Sequence, residues 1–172
     1  VGVLEYNQSF SWSMWVKPTK KLSGAILSKM DENEKHRGYD VWMENGRPGM
    51  HIVNEWPENA IKVVAKSELP LNKWNHLCVT YDGSGKANGG KVFINGTSQQ
   101  KDIARDELNA TIKTDKTFRV GRRYHGASVN GLEIDEIALY HRALNHQQIE
   151  KLSKLNTLTP LFKQPLDSLA NA

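Results

Sequence analysis

Short runs of alternating apolar and polar residues recur along the whole chain, and the clearest of them lies near its start. Over Phe10–Lys17 (FSWSMWVK) the apolar side chains of Phe10, Trp12, Met14 and Val16 occupy every second position. Successive side chains of an extended strand point to opposite faces, so a period of two predicts a half-buried β-strand rather than a helix.

Further short runs predict more strands, and turn-forming residues separate them. Asn45-Gly46 and Asn95-Gly96 each lie between two runs, and Asn-Gly is a strong hairpin signal because both residues tolerate positive φ. The segment 101–115 has no clear period and is predicted to be irregular, with room for one short strand. The other predicted strands are Ala25–Lys29, Tyr39–Met43, Met50–Val53, Ala60–Lys66, Trp74–Tyr81, Lys91–Asn95, Thr117–Gly121 and Leu132–Tyr140.

One helix is predicted, near 145–153. Asn145 can act as its N-cap, with Gln148 three residues later as the second member of a capping box, and HQQIEKLSKL then carries a one-sided apolar stripe. Many short strands with frequent turns and one late helix predict an all-β fold, a two-sheet antiparallel jelly-roll sandwich with one short C-terminal helix. We expect this sandwich to span residues 1–156, with 157–172 as a linker or tail.

Several segments carry a resemblance to a known family. They are FSWSMWVKP (10–18), WNHLCVTYDG (74–83), VFING (92–96) and the long run FRVGRRYHGASVNGLEIDEIALYHRALNHQQIEKL (118–152). In this order they resemble laminin-G-like domains of the concanavalin A-like lectin/glucanase type. The resemblance implies a sandwich that binds a partner, and it gives no catalytic residue.

Three other segments, 24–31, 37–63 and 80–97, are similar to a module of large planctomycete-type secreted proteins that also contain cytochrome c-like segments. This second resemblance implies that the domain belongs to a larger protein and lies outside the cytoplasm, in the periplasm or secreted. No CxxCH motif occurs in the sequence, so a haem would belong to other parts of such a parent chain.

Composition and charge narrow the possible partners. The net charge is +4, but basic residues are spread along the chain and interrupted by acids, whereas nucleic-acid binders concentrate them on one stripe. We therefore expect no nucleic-acid partner. No apolar run is long enough for a membrane span. The single cysteine, Cys78, lies in an apolar run and excludes a disulfide within the chain.

The acidic residues of GLEIDEI are the nearest match to the paired carboxylates of sandwich glucanases. Glu133, Asp135 and Glu136 nevertheless lie in a strand that resembles the non-catalytic laminin-G ending, where a bulge or an edge position is the favoured explanation. We therefore expect no enzyme activity. Related domains often hold calcium through loop carbonyls and acidic side chains, and Asp135 is the first candidate ligand if calcium binds here.

Aromatic residues that alternate away from the core are the candidate ligand surface. If Trp12 and Met14 face the core, Trp15 faces outward, and Asp40 and Trp42 do so in the strand 39–43. We expect Trp15 and Trp42 on adjacent strands of the concave sheet, a platform for sugar stacking with a polar rim. The alternative is that a loop such as 54–59 seals both indoles. The other candidate ligand-binding residues are His51, Trp56, Arg122 and Tyr124.

These observations leave three hypotheses open. The first is a non-catalytic recognition module, for a glycan or a protein neighbour, within a larger secreted protein. The second is a structural spacer that packs against other domains of its parent chain. The third and least favoured is a glycoside hydrolase.

Overall fold

The computed structural model describes residues 2–155, which form two antiparallel sheets packed on each other. The five-stranded sheet has the order β11-β1-β6-β7-β8, and the six-stranded sheet has the order β10-β2-β3-β4-β5-β9. The elements are β1 (Phe10–Pro18), β2 (Gly24–Asp31), β3 (Arg37–Glu44), β4 (Arg47–Glu55), β5 (Asn59–Ala65), β6 (Asn75–Tyr81), β7 (Gly90–Ile94), β8 (Thr97–Ser98), β9 (Lys101–Glu107), β10 (Arg119–Val120), β11 (Leu132–Tyr140) and the helix α1 (His146–Lys154).

This architecture confirms the predicted two-sheet sandwich with one short helix. The two Asn-Gly turns close the β3–β4 and β7–β8 hairpins, with φ of 49° and 82° at Asn45 and Gly46, and of 50° and 81° at Asn95 and Gly96. Both residues of each pair therefore adopt the left-handed backbone that a two-residue hairpin requires. The region 101–115 is more regular than expected, because β9 adds a seven-residue strand at the edge of the six-stranded sheet.

The main core lies between the sheets and is built from every second residue of their central strands. Met14 and Leu77 project into it from the five-stranded sheet, and Val41 and Ile52 from the six-stranded sheet, each no more than 1% exposed. Because strand neighbours alternate, this inward set fixes which residues face outward. Asp40, Trp42 and His51 are therefore outward-facing residues of β3 and β4.

The two outer faces are covered differently. On the five-stranded sheet, Ile149 of α1 and Leu144, just before the helix, pack against Cys78 and Phe93 and form a second small core. Asn145 caps this helix through the predicted capping box with Gln148. On the six-stranded sheet, a third cluster joins Met30, Val53 and Ala60 to Trp56 of the β4–β5 turn.

The strand β11 forms one edge of the five-stranded sheet and contains a bulge. Its pairing with β1 shifts register between Ser13 and Trp15, and Glu136, at the bulge, has a φ of 50°. The Asp135 carboxylate accepts a hydrogen bond from the Glu136 backbone at 2.8 Å, which supports this conformation. The acidic residues of GLEIDEI thus lie on a bulged edge strand.

The predicted linker 157–172 lies outside the described residues. Within residues 2–155, no helix is long and apolar enough to cross a membrane.

Candidate functional site

Asp40 and His51 form the base of a polar site on the outer face of the six-stranded sheet. They are direct cross-strand partners on β3 and β4. Asp40 Oδ1 lies 2.7 Å from His51 Nδ1 and accepts a second hydrogen bond from the His51 backbone at 3.2 Å. The Asp40 side chain is fully buried and that of His51 is 7% exposed. A buried carboxylate of this kind needs several donors, and the site supplies them.

Arg123 supplies the remaining donors to Asp40 from a different part of the chain. Its Nε lies 2.7 Å and its Nη2 2.6 Å from Asp40 Oδ2. The connection between β10 and β11 folds back over the sheet to make this possible. The backbone N–H of Gly121 donates to the carbonyl of Ile26 at 2.7 Å, and that of Ala25 donates to the carbonyl of Ala127 at 2.8 Å, so this connection is fixed to β2 at two points.

Two indole rings flank His51 at right angles to its imidazole. The centroid of Trp42 lies 5.4 Å from that of His51 with an interplanar angle of 80°, and the centroid of Trp56 lies 5.5 Å away at 77°. The guanidinium of Arg123 sits 4.5 Å over Trp42, and that of Arg105 sits 5.3 Å over Trp56. Such cation–π contacts hold both arginines against the rings.

The result is a small cavity of about 160 Å³ with aromatic walls and a polar base. Trp42, Trp56, His51 and Arg123 line it together with His36. The remaining lining residues are Met30 and Val53. We refer to this cavity as the Trp42–Trp56 pocket. Convergent polar groups among aromatic side chains are typical of small-ligand sites.

At the base of this pocket, the surrounding charges keep Asp40 ionised and paired with Arg123. Burial by itself would raise the pKa of Asp40, but the charges of His51 and Arg123 outweigh it and hold the pKa at about 2. Burial lowers the pKa of His36, and the nearby Arg123 guanidinium lowers it further. At neutral pH Asp40 is therefore ionised, and it compensates the charge of Arg123 directly.

The ionised Asp40 also determines which atom His51 presents to a ligand. A carboxylate only accepts hydrogen bonds, so the proton between the two residues resides on His51 Nδ1. Nε2 is then the ring nitrogen available to the Trp42–Trp56 pocket. It accepts a hydrogen bond from a hydroxyl when the ring is neutral, and it donates one when the ring is protonated.

The structure brings four of the predicted ligand-binding residues together: Asp40, Trp42, His51 and Trp56. Trp15 lies elsewhere, because β1 belongs to the five-stranded sheet. The expectation that Trp15 and Trp42 occupy adjacent strands is therefore wrong. Both indoles are partly exposed, but on different faces of the sandwich, and Trp15 contacts the His76 ring at 5.4 Å near α1. The prediction that Trp15 and Trp42 each face away from the core was correct. The alternation of side chains along one strand does not, however, reveal which sheet that strand joins.

Arg122 and Tyr124 also lie outside the pocket. The exposed Arg122 guanidinium donates to the carbonyls of Arg123 and Tyr124. The ring of Tyr124 lies under the charges of Lys116 and Arg119, each 4.7 Å from its centroid, and faces a separate groove. The neighbour of both, Arg123, is the residue that reaches Asp40.

Sequence reasoning did not choose Arg123, Arg105 or His36 as site residues. Arg105 belongs to the segment that appeared irregular, so no alternation was available to assign its face. The choice between Arg122 and Arg123 depends on how an irregular connection folds back, which a sequence pattern does not encode. Only the row of adjacent cationic and aromatic residues at 122–125 pointed to this connection.

Among residues 2–155, no group of potential metal ligands forms around Asp135. Throughout the described part of the chain, no group of three or more His, Cys, Asp or Glu side chains could hold a metal ion. Asp135 is exposed, and its carboxylate accepts from the adjacent backbone. Calcium binding at Asp135 stays a prediction, which melting with and without a chelator would test.

The two-sheet sandwich with a ligand-sized pocket on one outer face is a lectin-like arrangement. Residues 2–150 match the concanavalin A-like lectin/glucanases superfamily. This match covers most of the chain, and the protein therefore belongs to that family.

Individual similarities are distant. The chain is 23% identical over 159 residues to C-reactive protein 1.4 of Limulus polyphemus, which covers 90% of the chain and 65% of that protein. Among solved structures, a heptameric SAP-like pentraxin of Limulus polyphemus superposes with a TM-score of 0.64 at 16% identity, over 87% of this chain and 71% of that one. Domain 4 of an extracellular arabinanase from Geobacillus stearothermophilus, in complex with arabinotriose, gives 0.54 at 22% identity, over 89% and 69%.

Proposed function

We propose that this domain is a non-catalytic, carbohydrate-binding recognition module and that the Trp42–Trp56 pocket is its ligand site. The observation that carries the proposal is His51 Nε2, a hydrogen-bonding atom presented at the base of an aromatic-walled cavity. Sugars have apolar faces that pack on indole rings and hydroxyl groups that need fixed polar partners, and this pocket offers both.

The known relatives support this class of function. The arabinanase domain was seen with arabinotriose, and another similar chain is the binding domain of Paraclostridial Mosquitocidal Protein 1. The chain spans 65% of the length of C-reactive protein 1.4. We also propose that it belongs to a larger protein that acts outside the cytoplasm. That context was the expectation from the sequence, and it remains part of the proposal.

A glycan array with residues 1–172 tests the proposal. We expect a bound glycan whose affinity falls roughly tenfold or more in Trp56→Ala and in His51→Ala, because central interface residues commonly contribute more than 1 kcal/mol. Trp74→Ala is the matched control, since Trp74 is 44% exposed and lies away from the pocket. Equal losses in all three variants, or a glycan that binds each variant normally, would contradict the assignment of the pocket.

The alternatives have distinct outcomes. If no glycan binds, the spacer hypothesis leads, and other domains of the parent chain become the expected partners. Release of reducing sugar from a bound glycan would revive the hydrolase hypothesis. If Glu133→Gln or Asp135→Asn abolished the release of reducing sugar, the hydrolase activity would be assigned to the carboxylates of β11. We expect no release, because those carboxylates lie on the bulged edge strand of the other sheet.

A further inference from the structure

Arg105 lies beside the Trp42–Trp56 pocket, against one of its aromatic walls. It lies on β9, opposite Lys62 of β5, and its guanidinium sits 5.3 Å over the Trp56 ring. Its side chain is exposed, and Nη1 donates at 2.6 Å to the carbonyl of its own neighbour, Ala104. The indole therefore holds a charged guanidinium next to the cavity without engaging all of its donors.

Arg105 differs from the neighbouring cations in its ion pairing. Arg123 is compensated by Asp40, and Lys62 donates to Glu44 at 2.5 Å. Within residues 2–155, no carboxylate lies within ion-pair distance of Arg105, whereas these neighbouring cations each have one. Arg105 therefore adds a positive charge without an ion-pair partner beside a pocket in which Arg123 is already paired with Asp40.

We infer that the ligand of this pocket is an acidic sugar whose carboxylate or sulfate is bound by Arg105. This inference rests on the proposed function and specifies its ligand class. A guanidinium presents parallel N–H donors that match the oxygens of a carboxylate or a sulfate, and such bonds are stronger than those between neutral groups. The sugar ring packs between the indoles, and its acidic substituent extends past the Trp56 ring to Arg105.

The test compares one oligosaccharide in two chemical states. Binding of an oligouronate to the full chain is measured by calorimetry before and after its carboxylates are reduced to hydroxymethyl groups. A sulfated oligosaccharide of equal length forms a third arm, which separates sulfate from carboxylate as the recognised group. Each ligand is titrated into the unaltered protein, Arg105→Gln and the control Arg142→Gln, in which an exposed arginine beyond β11 is neutralised.

We expect one acidic ligand to bind at least tenfold more tightly than the reduced one. Arg105→Gln removes this difference and leaves the weaker binding of the reduced ligand in place, whereas Arg142→Gln preserves the difference. Equal affinity for the acidic and reduced ligands would overturn the inference and leave the proposed function standing. An unchanged preference in Arg105→Gln would overturn the role of Arg105. If none of the ligands binds, and the glycan array is also negative, the proposed function fails together with this inference.

Discussion

Arg123 directs two donors at a single oxygen of Asp40, with Nε at 2.7 Å and Nη2 at 2.6 Å from Oδ2, across a separation of 83 residues in sequence. The Asp40 side chain has no exposed surface, and that of Arg123 is 12% exposed. This ion pair therefore joins β3 to the β10–β11 connection in a largely buried environment.

Removal of the Asp40 charge is expected to cost substantial stability. Asp40→Asn leaves the Arg123 guanidinium buried without a counter-charge, which costs about 3 to 5 kcal/mol in comparable cases. Urea denaturation measures the change in the free energy of unfolding. Asp102→Asn is the matched control, because Asp102 pairs with Arg47 at 53% side-chain exposure and should cost less than about 1 kcal/mol. Similar losses in both variants would contradict this account.

Stability is expected to fall in mild acid because of His76. Burial lowers the pKa of His76 to about 4, from 6.5, and only the Glu136 charge opposes this shift. Below pH 6.5 the unfolded chain therefore binds a proton that the folded protein does not, so stability is full above pH 6.5 and declines toward pH 4. By pH 4.5 the loss from this group is about 2 to 3 kcal/mol.

Chemical denaturation at several pH values between 7 and 4.5 measures this decline. In His76→Gln the free energy of unfolding should fall much less over the same interval, whatever its value at pH 7. His141→Gln, a change at an exposed histidine, should retain the full decline. The lowered pKa of His36 adds a decline of the same sign in all three proteins, so only their difference reports on His76.

Cys78 is expected to be unreactive in the folded protein. It has no exposed surface, and burial raises the pKa of its thiol to about 12. The thiolate is the reactive form, so iodoacetamide at pH 8 should modify Cys78 only after denaturation. Ser98→Cys places a thiol at an exposed position of β8 and should react at once. Rapid labelling of native Cys78 would show that α1 does not remain packed on the sheet.

The capping box of α1 should contribute measurably to stability. The Asn145 side chain accepts from the Gln148 backbone at 3.0 Å, and the Gln148 side chain accepts from the Asn145 backbone at 3.1 Å. Asn145→Ala removes the cap and should cost about 1 kcal/mol of unfolding free energy. Gln147→Ala, at an exposed position in the first turn, should leave stability unchanged or slightly higher. Thermal melting of the two variants makes the comparison.

Alternation and turn chemistry predicted most of the fold because both are local. Residues such as Met14 and Val41 repeat at every second position wherever one face of a strand meets the core, and Asn45-Gly46 adopts its backbone conformation with no help from distant residues. The capping box at Asn145 is equally local. The segment 101–115 was predicted to be irregular with room for one short strand, and β9 could not be located within it because six of its seven residues are exposed at a sheet edge and no apolar period marks it.

The residues of the site could be predicted only where a local pattern determines their positions. Asp40 and His51 face each other across a hairpin, so their pairing follows from the turn between them. Trp15 has the same outward pattern as Trp42, yet it belongs to the other sheet, and sheet membership depends on long-range pairing that single strands do not encode. Arg123 reaches the pocket from an irregular connection, and Arg105 packs on its Trp56 wall from an edge strand, where the sequence provides no register.

The bulge in β11 limits how readily this molecule can associate with other copies of itself through its sheet edges. An exposed strand edge can template the addition of a foreign strand, and sandwich proteins avoid this by shortening, charging or distorting their edges. The left-handed backbone of Glu136 interrupts the hydrogen-bonding row of β11, and β8 and β10 are only two residues long. Five of the seven residues of β9 are charged. Each of the four sheet edges is thus poorly suited to nucleating the intermolecular sheets from which aggregates grow.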